Sequence, residues 1–205
     1  MALTRLGLNQ AINLSTNTTG DLNLASQVTG TLPVANGGTA LTSGFVNGGA
    51  LTEVDTWRKT SAMNATSSRD FLTNNLERVD TNNFSKVGTG MTQSSGVFTF
   101  PSTGVWLLRF QAYFYSNSQN DHNYGLAEIF TTTDDGTYDK AANSTGNNSA
   151  TNQSMSSPAM FIFNCTATAT HKVKFAVSAS SDWYVGGSSA DNDTWMDFIK
   201  LAEAQ

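Results

Sequence analysis

Cysteine, histidine and proline are nearly missing from this 205-residue chain, at one, two and three copies. A single cysteine leaves no disulfide framework, and one cysteine with two histidines cannot build a His/Cys metal cluster. Charge is scarce as well: 13% of residues carry it, and 11 Lys and Arg against 16 Asp and Glu give a formal net charge of −5. With no block of Lys or Arg anywhere, there is nothing for a nucleic-acid backbone or an anionic membrane to grip. No run approaches the ~20 apolar residues of a membrane span, so no membrane insertion is expected. The opening MALTRLGLNQAINLS lacks the continuous apolar core of a signal peptide, and signal-dependent secretion is not expected. What abounds is 28 Thr, 22 Ser, 20 Asn and 17 Gly, together 87 of the 205 residues. Helices use these types poorly, whereas strands, turns and loops use them well. The length suits one large domain, or one domain with an appendage.

The chain divides near residue 50. Residues 1–50 hold only Arg5 and Asp21 as charged residues. They read as short apolar pulses, Leu6, Leu8, Ile12, Leu14, Leu22, Leu24, Val28, Leu32 and Val34, spaced by Asn, Thr and Gly. Such a stretch cannot build its own core, and it carries too little charge for a solvated tail. Its apolar residues are expected to be buried against sister copies or a docking partner; the other reading is a strand laid along its own domain. Leu6, Leu8, Ile12, Leu14, Leu32 and Val34 are the candidate attachment residues. Within the segment, Leu32-Pro33-Val34 forms an extended pulse, and Asn36-Gly37-Gly38 supplies positive-φ turn positions. The run from Val28 to Ala40 resembles a sequence met repeatedly in the fibre and tail proteins of tailed bacteriophages, ending "LPVANGGTG", with Ala40 here in place of the last glycine. That resemblance implies an intertwined trimeric stem or an attachment segment.

Residues 51–205 read as one β-sandwich head. The clearest signal runs from Gly104 to Ser116, where Trp106, Leu108, Phe110, Ala112 and Phe114 share one parity and Val105, Leu107, Arg109, Gln111, Tyr113 and Tyr115 the other. The first set belongs in a core. The second is too apolar for bulk water and too polar for a dry interior, which fits a subunit interface; Val105, Leu107, Arg109, Tyr113 and Tyr115 are its candidate residues. Further strands are expected at 54–59, 84–88, 97–100, 124–132, 159–167, 172–178 and 195–201. Phe161, Phe163, Cys165, Val173, Phe175 and Val177 are expected inside, with Lys172 and Lys174 outside. Many short strands separated by Gly, Asn and Asp form the sandwich or jelly-roll pattern.

The stretch from Gly96 to Trp106 resembles the "G-x-F-T-x-P-x-x-G-x-Y-x-F" core of the complement-type and tumour-necrosis-factor-like jelly roll, with Trp106 in the usual Tyr place and Leu108 in the usual Phe place. Residues 194–201 take the place of that family's closing strand without its usual glycine. Segments 75–80 and 88–93 resemble versions of the domain in marine phage structural proteins. The resemblance implies a tight homotrimer with sheets packed around a threefold axis.

Candidate chemistry is sparse. Residues 134–139 offer Asp134, Asp135 and Asp139 around Gly136 and could wrap calcium, but Asp-Gly between strands also makes a hairpin, the reading adopted. Asp191 and Asp193, with Asp182 nearby, are a second calcium candidate against an ordinary turn. No cofactor is expected beyond that ion. Glu53 and Asp55 share a strand face and suit glycoside hydrolysis, or are simply exposed edge acids that blunt aggregation. His122 and His171 read as surface residues, and Cys165 as a buried thiol. No catalytic constellation emerges, so an enzyme is not expected. Binding is expected in loops 116–122, 134–155 and 181–193, with Asn120, Asp121, Asn147, Asn148, Trp183 and Tyr184 as candidate receptor contacts. Trp183 and Tyr184 could stack on a sugar ring or could be the last aromatic pair of the sandwich. The expected function is a trimeric bacteriophage fibre in the virion, held to other virion proteins by residues 1–50 and binding a host-envelope glycan or protein through the head loops. The alternative is a virion decoration or adaptor protein with a purely structural role.

Overall fold

The computed structural model describes residues 51–116, 123–148, 153–180 and 183–205. The expected boundary at residue 50 and the attachment candidates Leu6, Leu8, Ile12, Leu14, Leu32 and Val34 lie outside them.

Among the described residues there are thirteen strands and no helix: β1 (Val54–Lys59), β2 (Ser61–Ala65), β3 (Asp70–Phe71), β4 (Leu76–Arg78), β5 (Thr92–Ser94), β6 (Val97–Thr99), β7 (Gly104–Ser116), β8 (Asn123–Thr132), β9 (Asp139–Asn148), β10 (Ser154–Cys165), β11 (Lys172–Ala179), β12 (Trp183–Ser188) and β13 (Trp195–Ala202). They form two antiparallel sheets packed as a jelly-roll sandwich. The seven-stranded sheet runs β2-β12-β7-β13-β1-β4, with β10 on the other side of β7. The six-stranded sheet runs β5-β6-β11-β8-β9, with β3 also against β11.

Strand β7 organises the larger sheet. Its alternation sends Trp106, Leu108, Phe110, Ala112 and Phe114 inward, each at most 1% exposed. They meet Ala127, Ile129, Val173, Phe175 and Val177 of the facing sheet. Phe98, Phe110, Phe175 and Phe198 join this core with centroids 5.0 to 5.8 Å apart, pairs worth about 0.5–1.5 kcal/mol each beyond simple burial. Pro158, which has no N–H to donate, sits on β10, whose one ladder partner among the described residues is β7. Ser95 (φ 49°) and Gly96 (φ 79°) turn β5 into β6. Positive φ at both central positions is what a tight hairpin requires.

Several expectations are corrected. Residues 84–88 form no strand; Val87 alone bridges to Val54, after a turn with positive φ at Asn82 and Asn83. Segment 134–155, expected as one loop, contains the ten-residue β9, an edge strand whose small polar residues need bury little. Likewise β12 crosses the expected loop 181–193. Lys172 has the outward parity expected, yet it is buried, because the turn before β11 lies over it and Thr168 O accepts from its Nζ at 2.8 Å. The same turn buries His171, whose ring nitrogens lie 3.1 Å from the hydroxyls of Thr166 and Thr170. Phe161 points inward but is only half-buried.

Candidate functional site

The outer face of the seven-stranded sheet carries the other parity of β7. Register fixes its neighbours row by row: Leu107 lies between Ile162 of β10 and Ile199 of β13, Arg109 between Met160 and Asp197, and Gln111 between Pro158 and Trp195. Tyr115 lies between Ser154 and Tyr184. Val105, Leu107, Arg109, Tyr113 and Tyr115 are all half-buried in the single chain. Their neighbours Met160 and Ile162 are 65% and 59% exposed. The face therefore extends beyond the five residues expected from sequence. It was the pairing of β7 with β10 that the one-strand pattern could not reveal.

Polar groups interrupt this face at one place. Arg109 pairs with Asp197, whose other oxygen accepts from the Thr56 hydroxyl at 2.7 Å, and the guanidinium lies 5.5 Å from the Trp195 ring centre. Toward the end of β7, Tyr113, Tyr115 and Tyr184 stack in succession, with centroids 6.1 and 5.3 Å apart. Gly186 makes room for this ladder, since a Cβ there would come within 2.5 Å of the Tyr113 ring.

The strand ends that flank segments 117–122, 149–152 and 181–182 gather at one end of the sandwich, whereas the start of the expected loop 134–155 is the β8–β9 turn at the other end. Ser116 pairs with Trp183, Tyr115 with Ser154, Asn123 with Asn148, and Gly125 with Ala179. Asn120 and Asp121 lie outside the described residues. Asn147 is exposed near the end of β9 and Asn148 terminates it. Trp183 and Tyr184 do not form one platform. Trp183 is 1% exposed and belongs to the core, whereas Tyr184 faces outward onto Tyr115.

The carboxylates expected as chemical candidates are engaged structurally. Asp55 is fully buried on β1, which is no edge strand but lies between β13 and β4. It accepts from Arg78 at 2.8 and 3.2 Å, from Trp57 Nε1 at 2.9 Å and from Met91 N at 2.8 Å. Glu53 accepts from the backbone of Thr89 and Gly90. This pair fastens segment 87–91 to the sheet rather than facing a substrate. Asp134 Oδ1 accepts from Thr132 Oγ1, Gly136 N and Thr137 N at 2.6 to 2.9 Å. Those bonds hold its pKa below the ordinary carboxylate value, and they are the bonds of a closed turn. Ser188 Oγ accepts from the backbone of Ala190 and Asp191, while Asp182 and His122 lie outside the described residues. Among the described residues, no three His, Cys, Asp or Glu side chains converge as a metal site. Burial raises the pKa of the Cys165 thiol, against the smaller opposing influence of Ala167 N–H and Lys172.

No family model matches the chain, and no curated protein matches it by sequence. Solved structures do. The Eiger tumour necrosis factor of S. frugiperda superposes with a TM-score of 0.55 at 12% identity, over 76% of this chain and 96% of that one. The chain has the tumour-necrosis-factor-like jelly-roll fold. Murine APRIL at pH 5.0 gives a TM-score of 0.52 at 14% identity, over 73% of this chain and 98% of its own. The likeness is one of fold. Vertex protein P5 of PRD1 matches at a TM-score of 0.43 and 12% identity, over 75% and 99% of the two chains, too distant to carry an argument.

Proposed function

We propose that the protein is a homotrimeric bacteriophage fibre protein of the virion, fastened to its particle by residues 1–50 and presenting the loop end of the sandwich to the host envelope. The observation that carries the trimer is the outer face of the seven-stranded sheet, where Met160 and Ile162 stand in water beside half-covered Leu107, Ile199, Trp195 and three tyrosines. A contiguous apolar face of this kind marks an association surface. A second and third copy of the same chain would bury it with aromatic and aliphatic residues at the centre and the Arg109–Asp197 pair among them. The phage assignment draws on the run from Val28 to Ala40, and the adhesive role on the clustered loop ends. Three copies of a weak contact, held together, give avidity without a covalent step.

A map of the intact phage particle tests this reading. It predicts residues 1–50 against virion neighbours or wound with sister copies, and loop ends 117–122 and 149–152 in solvent. Loop ends covered by another virion protein would replace adhesion with the adaptor role. Absence from the particle would overturn both.

A further inference from the structure

The outer surface of the six-stranded sheet collects basic and aromatic side chains that are scattered in sequence. In one row, Lys174 of β11 faces Phe130 of β8, which faces Lys140 of β9. Phe71 of β3 packs on Phe130 at 5.2 Å, and the Arg69 guanidinium lies over Phe130 at 4.6 Å. The Lys174 ammonium lies 3.8 Å from the Tyr138 ring centre and 5.7 Å from that of Phe71. One carboxylate serves two of the three cations: Glu128, at 1% exposure, pairs with Arg69 at 2.8 Å and Lys140 at 3.2 Å. Lys174 makes no ion pair among the described residues. Its ammonium is held by two rings, which attract it but leave its charge unneutralised. The side chains of Arg69 and Lys140 are 45% and 42% exposed, and Phe71 is 37% exposed, so cations and an aromatic ring reach solvent together. Asp134 and Asp135 bound the surface beyond Tyr138, whose pKa is raised by burial and then by their charges.

We propose that this surface binds an acidic polysaccharide, a sugar chain bearing carboxylate, sulfate or phosphate groups. A sugar ring packs on the exposed Phe71 face while its acid group meets Lys174, with Arg69 and Lys140 serving the next residues along the chain. Cations interleaved with rings suit spaced acids. They suit a nucleic acid less, because its unbroken line of phosphates needs a continuous basic track, which a chain of net charge −5 does not offer. The surface adjoins the β8–β9 turn, at the end of the sandwich opposite Ser116, Asn123 and Asn148, so it does not depend on the adhesive reading drawn from that end.

The test measures retention of the full chain on immobilised heparin, on polygalacturonate and on neutral dextran at rising salt. Retention is expected on one or both acidic polymers and not on dextran. The double variant Lys174→Gln/Lys140→Gln should weaken binding by about tenfold or more and flatten its salt dependence. Phe71→Ser should weaken binding at an unchanged salt dependence, and Lys86→Gln, away from this surface, should leave it unchanged. The proposal is overturned by no retention on either acidic polymer, by equal retention on dextran, by a correctly melting double variant that binds like the parent, or by a Lys86→Gln loss as large as the double variant's.

Discussion

Replacing Met160 and Ile162 together by lysine should dissociate the protein while leaving each sandwich intact. Both side chains project from the outer face of β10 and are 65% and 59% exposed in the single chain, so neither supports the core beneath. Full burial of such a side chain contributes about 1.5–3 kcal/mol. With some three fifths of each surface still to be covered, each contributes roughly 1–2 kcal/mol to association. Six such side chains in a trimer amount to roughly 6–10 kcal/mol, or about four to seven orders of magnitude in the assembly constant. The desolvation of six added ammonium groups comes on top of this. Sedimentation velocity from nanomolar to micromolar concentration reads the assembly, and thermal melting reads the fold. The expected result is a monomer whose melting matches that of the dissociated parent, with exposed substitutions shifting stability by no more than about 0.5 kcal/mol. A double variant that sediments with the parent would refute the assignment of this face, and a variant that fails to fold would show that β10 is not the exposed edge described.

Lys59→Met should stabilise the fold by about 1 kcal/mol or more in chemical denaturation, because Lys59 is fully buried with one long contact, 3.5 Å, to Asn74 O. Burial lowers the Lys59 pKa, so the unfolded chain holds that proton over the window from the lowered value up to about 10.4. Parent stability should therefore rise with pH across that window and the advantage of the variant should shrink. For Glu128, burial opposes ionisation but the hydrogen bonds and charges of Arg69 and Lys140 outweigh it, and its pKa falls below the ordinary value. Its contribution is present above about pH 4.3 and is lost as pH falls through the lowered folded value; Glu128→Gln should flatten that acid limb in pH-dependent unfolding. Gly96→Ala should cost about 2 kcal/mol or more, since its φ is 79° and a Cβ would lie 2.1 Å from the Leu72 carbonyl oxygen. A calorimetric melt unchanged from the parent would contradict that geometry.

Strand β7 was legible because thirteen residues alternate without a break, and its inward set is the core. Strand β9 was not, because an edge strand of Ala, Asn, Ser and Thr looks like a loop when read alone. The surroundings of Lys172 and His171 were illegible for another reason: a covering turn, rather than strand parity, decides their exposure. Trp183 entered the core because β12 pairs in register with Ser116 of β7, whereas adjacency in sequence had joined it to Tyr184. At the candidate sites, the five β7 residues are half-buried in the single chain, and Met160, Ile162 and Ile199 were visible only once register set them beside Leu107 and Arg109. The same holds for the basic surface, since Arg69, Lys140 and Lys174 come from three separate segments and form no sequence block.

The most direct measurement is the solution mass of the full chain at nanomolar concentration by light scattering. Burial of the outer face of the seven-stranded sheet by sister copies predicts three times the chain mass of 21.9 kDa. A stable species of a single chain mass, with Met160 and Ile162 left in water, would contradict it.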